Sequence, residues 1–296
     1  MKRIFLTGAS GFLGGNFCHL FAGKYEIFAV YNTHEIQNKN VHSHQLDVTK
    51  SAKLKTFFNK IKPDAVVHLA AISDPNQCQL NPSVSEVINV EVPENLAHLC
   101  AEYQIPFLFA SSDLVFDGKS APYRESDIPA PISIYGLHKA VAEQSVMDIY
   151  PQSTICRLPL MYGRTFTENR SVLQPMLTNL DSGLPLMLFT DESRTIASAH
   201  DICEGLLRCL GHQGEIFNLG GDERMSRYDF GLEVCKVFGY DKGLLIKSKQ
   251  KDVGMPAPRP KDVSMSNTKA KEIGWKPASV QSGLERIKKE LESKTI

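Results

Sequence analysis

Short, unbroken apolar runs alternate along the first half of the chain with longer stretches whose apolar residues recur every three or four positions. The runs are Ile4-Phe5-Leu6, Ile27-Phe28-Ala29-Val30, Ala65-Val66-Val67-His68-Leu69-Ala70-Ala71 and Phe107-Leu108-Phe109-Ala110. Runs of this kind predict strands covered on both faces. Phe12, Leu13, Phe17, Leu20 and Phe21 have helical spacing, as do Leu54, Phe57, Phe58 and Ile61. So do Val84, Ile88, Leu96, Leu99 and Cys100, which predict a helix over 84–103. Strand–helix alternation predicts an α/β fold on a doubly wound parallel sheet. After Tyr162-Gly163 the rhythm loosens. Ile216-Phe217-Asn218-Leu219 reads as one more strand, and 223–296 as two helices around the loop Met255-Pro256-Ala257-Pro258-Arg259-Pro260.

Between the first strand and the first helix lies Leu6-Thr7-Gly8-Ala9-Ser10-Gly11-Phe12-Leu13-Gly14. Gly8 suits the tight turn, Gly11 lets backbone approach a pyrophosphate, and Gly14 lets the helix pack close to the strand. The helix start offers N–H groups and a positive dipole end to phosphates. The spacing G-x-x-G-x-x-G also occurs for purely steric reasons, but with a strand before it and a helix after it a dinucleotide site is expected. Residues 1–165 are therefore expected to form a Rossmann domain that also takes back about 194–222. Residues 166–193 and 223–296 would form a smaller, mainly C-terminal α/β lobe for the substrate.

Charge and cysteine content narrow the function classes. The 296 residues carry 33 Lys+Arg and 33 Asp+Glu, so nothing in the balance points to nucleic acid or a membrane surface. Seven cysteines without a C-x-x-C pair read as reduced thiols of a cytoplasmic protein. The apolar run after Met1-Lys2-Arg3 is too short for a secretory signal, and no stretch approaches the ~20 apolar residues of a membrane span. The histidines form no metal constellation: His42 and His44 sit near a predicted strand, and His19, His98, His138, His200 and His212 are isolated.

Tyr135-Gly136-Leu137-His138-Lys139 adds candidate chemistry. Residues four apart share a helix face, so Tyr135 and Lys139 point the same way. A free Tyr has a pKa of ~10, which costs about 4 kcal/mol against the phenolate at neutral pH. A neighbouring ammonium, with help from an oxidised nicotinamide, would lower that pKa and suit Tyr135 to exchange a proton with a carbonyl or alcohol oxygen. The same pattern also fits an amphipathic helix with a snorkelling Lys. Ser111-Ser112-Asp113, directly after the strand at 107–110, weighs toward catalysis, because strand ends of this kind form the ligand crevice. A Ser112 hydroxyl there can hold the oxygen that Tyr135 protonates, although Ser and Asp also serve as turn and cap residues.

With these elements in order, the chain resembles the extended short-chain dehydrogenases/reductases. Within them it is similar to the dTDP-4-dehydrorhamnose reductase-like sugar-nucleotide reductases. The similarity runs through Thr7 to Gly14, Leu46-Asp47-Val48, His68-Leu69-Ala70-Ala71 and Ser111 to Gly118. It continues in Pro122 to Asp127, Tyr135 to Lys139, Phe217 to Gly221, and Arg259-Pro260-Lys261-Asp262. The resemblance implies that Gly8, Gly11, Phe12, Leu13 and Gly14 hold the cofactor pyrophosphate. Asp47 and Val48 would contact adenine, Ala70 and Ala71 would flank ribose and phosphates, and Pro159 would pack against the nicotinamide. Lys139 would bind the nicotinamide ribose, Tyr135 would be the acid and Ser112 its partner. Ser112, Asp113 and Arg259 would face the substrate, Arg259 near its phosphates. A solvated loop residue is an equal reading of Arg259.

Departures from the family text bear on the substrate. Rhamnose reductases usually carry Trp before the Tyr-Gly where this chain has Leu160-Met161-Tyr162, and Ser73 to Asn81 also differs. The Asp-Glu pair of sugar-nucleotide dehydratases is absent, since Leu114 follows Asp113. The expected activity is NAD(P)H-dependent reduction of a keto group on a nucleotide-linked sugar. A sugar-nucleotide epimerase and a regulatory subunit like the methionine adenosyltransferase β subunit are the alternatives. After the second strand the chain reads Val30-Tyr31-Asn32-Thr33-His34, with no acid before Glu35. That favours NADP, while the lack of an Arg leaves NAD possible. His34 could meet a 2′-phosphate or be a solvated loop residue. A homodimer through the helix bearing Tyr135 is expected from Ile134, Leu137, Val141, Val146 and Ile149, together with the apolar 88–103 stretch.

Overall fold

Seven parallel strands form the central sheet of the computed structural model, which describes residues 2–36, 38–168 and 171–293. They are β1 (Arg3–Thr7), β2 (Glu26–Tyr31), β3 (His42–Gln45), β4 (Ala65–His68), β5 (Phe107–Ser112), β6 (Thr154–Leu158) and β7 (Ile216–Asn218). Their order is β7-β6-β5-β4-β1-β2-β3, so the winding direction changes between β1 and β4. A ligand crevice opens at the carboxyl ends of strands at such a point. This is the Rossmann-like arrangement expected from the alternation. Met1, Gln37, Asn169, Arg170 and 294–296 lie outside the described residues.

Alternate side chains of each strand feed two cores. On one face Ile4, Leu6, Val67 and Leu108 pack with Phe17 and Phe21 of α1 (Phe12–Phe21) and with Ile202 and Leu206 farther along the chain. On the other, Phe5, Val66, Phe107 and Phe109 meet Leu54 and Phe58 of α2 (Ser51–Ile61). Leu96 and Cys100 of α3 (Val92–Tyr103) and Val146 of α4 (Ile134–Ile149) complete that face. Each such side chain, fully buried, contributes about 1.5–3 kcal/mol.

A separate core gathers Tyr162, Leu173, Leu188, Phe230, Leu245 and Leu284. It lies among α5 (Leu173–Asp181), α7 (Arg227–Phe238), α8 (Val280–Glu292) and the parallel pair Leu186–Phe189 and Leu245–Ser248. Between α5 and α7, α6 (Ala199–Cys209) returns to pack on α1. The expectation of two helices after residue 223 missed strands Arg224–Ser226 and Leu245–Ser248 and the short helix Thr268–Glu272. Leu245–Ser248 is buried only at its two ends, so it lacks the alternation that marks a strand.

Other boundaries differ for local reasons. β4 stops at His68 rather than Ala71, because its neighbour β1 ends at Thr7 where Gly8 turns away. Leu69 to Ala71 then become loop. β5 runs on to Ser112 because Ser111 and Ser112 still pair with Arg157 and Leu158. The helix expected over 84–103 is three pieces: Pro82–Glu86, a π-turn at Val87–Glu91, and α3. Pro93 has no N–H to continue the α-helical ladder, and the Val92 amide reaches back to the Val87 carbonyl. All seven cysteines are free and buried. Among the described residues no helix is long and apolar enough to cross a membrane.

Candidate active site

The glycine turn is built as its spacing suggests, with a different reason at each position. Gly8 has φ +69°, and a Cβ there would sit 2.5 Å from the Ala70 nitrogen. A Cβ on Gly14 would lie 2.6 Å from the Ala9 Cα and closer still to the Gly8 carbonyl oxygen. Both glycines are therefore demanded by the fold itself. Gly11 is different. A Cβ there meets only the Gly8 oxygen, at 3.0 Å, and otherwise projects into open space. Gly11 is also the N-cap of α1 and gives it no side-chain cap, so the first-turn amides face the cavity beyond.

That cavity, about 750 Å³, lies along the crevice and takes in every residue nominated from the sequence except His34. Gly8, Gly11, Phe12, Leu13 and Gly14 line one part, with Asp47, Val48, Ala70, Ala71 and Pro159 along its walls. Ser112, Asp113, Tyr135, Lys139 and Arg259 line the remainder. The volume is that of a ligand pocket rather than a surface dent. Val30, Tyr31 and Asn32 also line it, and none is acidic. Asp47 keeps its carboxylate on the Thr49 hydroxyl at 2.7 Å, which lowers its pKa. His34 is not among the lining residues; it pairs with Glu168 at 3.0 Å on the exposed surface.

Tyr135 is delivered by the start of α4. The Ser133 hydroxyl accepts the Gly136 amide at 3.2 Å, and a side chain at Gly136 would collide with the Leu114 carbonyl. The helix thus abuts the turn after β5 and sets Tyr135 against Ser112. The Ser112 Oγ accepts the Leu114 amide at 3.1 Å and donates to Asp113 at 3.2 Å. Burial raises the pKa of the Tyr135 phenol, against a hydrogen bond with Ser112 that lowers it. The charges that act on it include Asp113, upward, and Arg194, downward; Lys139 is not among them. The Lys139 Nζ instead donates to the Ala110 carbonyl and lies 4.0 Å above the Phe109 ring. Burial pulls its own pKa down to about 7, partly opposed by Glu143. Glu143 in turn takes Arg157 through three hydrogen bonds of 2.8–3.1 Å.

A charged cluster at the same wall was not legible in the sequence. Arg194 Nη1 donates to both oxygens of Asp113 at 2.8 Å, and its Nε to Glu192 at 3.1 Å. All three side chains are buried. Burial pushes the Asp113 pKa up, more than Arg194 draws it down. For Glu192 burial also acts upward, but Arg194 and Arg227 outweigh it and the pKa falls. Arg227 also lines the cavity, and its Nη1 is buried without a hydrogen-bond partner. Arg194 sits on strand Ser193–Thr195, paired antiparallel with Arg224–Ser226, so the two arginines meet through a sheet too short to announce itself. Arg259 is tethered, donating to Asn76 at 3.1 Å and to the Ala257 carbonyl at 3.3 Å. Among the described residues no cluster of three or more His, Cys, Asp or Glu is placed to hold a metal ion.

A family comparison matches residues 1–293 to the RmlD substrate binding domain. The chain belongs to the RmlD family. A relative in this comparison is a probable low-salt glycan biosynthesis reductase of Haloferax volcanii, 31% identical over 95% of each chain. Another is the methionine adenosyltransferase 2 subunit beta of Xenopus laevis, 25% identical over 92% of this chain and 83% of that one. Among solved structures, the dTDP-4-dehydrorhamnose reductase of Bacillus anthracis, in complex with NADP, superimposes with a TM-score of 0.87. It is 22% identical and covers 98% of this chain and all of its own, a likeness that speaks for the fold. Membership in the RmlD family agrees with the resemblance carried by the glycine turn, the strand-end Ser112 and the Tyr135–Lys139 pair.

Proposed function

We propose that the protein is an NADPH-dependent reductase of a keto group on a nucleotide-linked sugar. The observation that carries this reading is the single cavity with the open glycine turn at one part and Ser112, Tyr135 and Lys139 together at another. The residues present suit a dinucleotide: Gly11 leaves a cradle that a side chain would fill, and the wall near Val30 to Asn32 holds no acid to repel a 2′-phosphate. Residues 1–165 with about 194–222 would be the cofactor domain, and the remainder the substrate lobe.

Gly8, Gly11 and the first turn of α1 would hold NADPH, which when bound would supply the hydride for the carbonyl carbon. Tyr135 gives its proton to the carbonyl oxygen, and Ser112, already fixed by the Leu114 amide, steadies that oxygen. The raised pKa of Tyr135 keeps the proton in place until it is needed. Lys139 would turn from the Ala110 carbonyl to the nicotinamide ribose, bringing its charge toward Tyr135. Arg227, with its buried unpartnered Nη1, and Arg259 receive the substrate diphosphate. Asp113 and Glu192 neutralise Arg194 and hold it as a fixed wall.

Purified protein should oxidise NADPH when offered one of a panel of 4-keto nucleotide sugars, and should bind NADPH at least as tightly as NADH. A clear preference for NADH in titration would overturn the cofactor assignment, and silence across the panel the substrate class. The similarity to the methionine adenosyltransferase β subunit supports a second reading, a cofactor-binding regulatory subunit. Against it stand Ser112, Tyr135 and Lys139, all retained at the cavity.

Self-association belongs to the same proposal. Leu137 and Val141 are 46% and 42% exposed on α4, with Leu80 and Val84 exposed nearby, whereas Val146 is buried in the core. A second copy would cover the exposed ones. Light scattering at micromolar concentration should give about twice the 32.9 kDa chain mass, and a strict monomer would remove the idea.

A further inference from the structure

The segment Ser73 to Asn81, one of the departures from rhamnose-reductase text, forms a short helix at Pro75–Leu80 on the rim of the cavity. Asp74 caps it by accepting the Asn76 amide at 2.8 Å. Cys78 pins it to the wall by donating to the Ile72 carbonyl at 3.3 Å. Two side chains then reach in different directions. The Asn76 Oδ1 accepts the Ala257 amide at 3.2 Å and an Arg259 Nη2 at 3.1 Å, both from the far end of the chain. The Gln79 Oε1 accepts the Ile134 amide at 3.2 Å, at the first residue of α4 and next to Tyr135. Ala257 is fully buried, so its amide has no water to turn to if Asn76 withdraws.

We infer that Asn76 is a positioning residue for substrate: it docks the loop 255–260 onto the cavity rim and aims Arg259 inward, on the same short helix that Gln79 joins to the Tyr135 helix. The inference rests on the nucleotide-sugar reading above for what Arg259 meets. The mechanism is a shared acceptor. One oxygen serves a backbone donor that fixes the loop and a guanidinium donor that fixes the side chain, so loop and cation are set together. The bound diphosphate then finds Arg259 already ordered, without an ordering cost at the moment of binding. A carboxylate can accept from both donors equally well, whereas a methyl group can accept from neither.

Asn76→Ala and Asn76→Asp, compared with the unaltered protein, test this. Hydrogen exchange of the Ala257 amide reports the tether, and calorimetry with thymidine diphosphate and with NADPH reports its use. In Asn76→Ala the amide should exchange at least tenfold faster, thymidine diphosphate should bind about tenfold more weakly, and NADPH affinity should hold. With an accepted keto sugar the change should fall on KM rather than kcat, and Asn76→Asp should recover most of the loss. An unchanged Ala257 exchange rate, an undiminished diphosphate affinity, or an Asp variant no better than Ala would each overturn the inference. If no keto sugar is reduced while thymidine diphosphate affinity still follows residue 76, the reductase reading fails and the positioning role stands. If the unaltered protein binds no thymidine diphosphate, a thymidine-linked substrate is ruled out, and Ala257 exchange alone decides for or against the tether.

Discussion

Tyr135→Phe should lower turnover of an accepted keto sugar by about 10²–10⁴-fold, the range typical for loss of a general acid, while NADPH affinity stays nearly constant. The ring is almost wholly buried and its packing survives the change; only the proton and the contact with Ser112 disappear. Full activity in the Phe variant would refute the proton-donor role. Lys139→Met should act differently, weakening NADPH binding as well as turnover. It also has a stability signature. The folded-state pKa of Lys139 lies near 7 against an ordinary 10.5, so between those values the unfolded chain holds a proton that the folded one lacks. Stability contributed at this site therefore rises with pH across that window and is lowest below it. Met removes the titration, so denaturant melts of the variant should show a flatter pH dependence from about 7 to 10.5.

Gly11→Val should reduce NADPH affinity by roughly 100-fold or more, because a branched side chain would keep the phosphates off the first-turn amides of α1, and losing about 3 kcal/mol of charged hydrogen bonding corresponds to that factor. The melting temperature should move less than for a change at Gly8 or Gly14, because a Cβ at Gly11 meets a single atom, the Gly8 oxygen at 3.0 Å, which must give only slightly. Gly8 and Gly14 cannot serve for this test, since a Cβ at either runs into backbone. Calorimetry on the Val variant settles the assignment: retained affinity with an intact fold means the dinucleotide does not lie against Gly11.

The parts of the site legible in the sequence are those whose geometry is local. Tyr135 and Lys139 share a helix face by spacing alone, and the glycines mark a strand–helix turn within nine residues. Most of the parallel strands were legible because burial on both faces leaves an unbroken apolar run, as in Phe107 to Ala110, whereas β3, the polar and partly exposed His42–Gln45 at the sheet edge, carries no such run. What escaped depends on chain segments far apart. Arg194 meets Asp113 across 81 positions through strands of three residues that carry no periodic signal. Arg227 sits just inside a helix start, where a charged residue ordinarily reads as solvated. The state of Lys139 also escaped, because i to i+4 spacing shows that two side chains can meet, not that a carbonyl at Ala110 will claim the amine first.

The sheet order also carries a biosynthetic consequence. β7, the strand that covers the outer edge of β6, begins at Ile216, whereas β6 ends at Leu158. At a synthesis rate of about 5–20 residues per second, a ribosome needs several seconds to cross that interval. During that time the nascent sheet ends in a strand whose residues, Thr154 to Leu158, are all buried in the finished protein. An open edge of this kind is a template for pairing with another chain. The emerging polypeptide thus passes through a window, after residue 158 and before residue 218, in which β6 has no partner on its outer side.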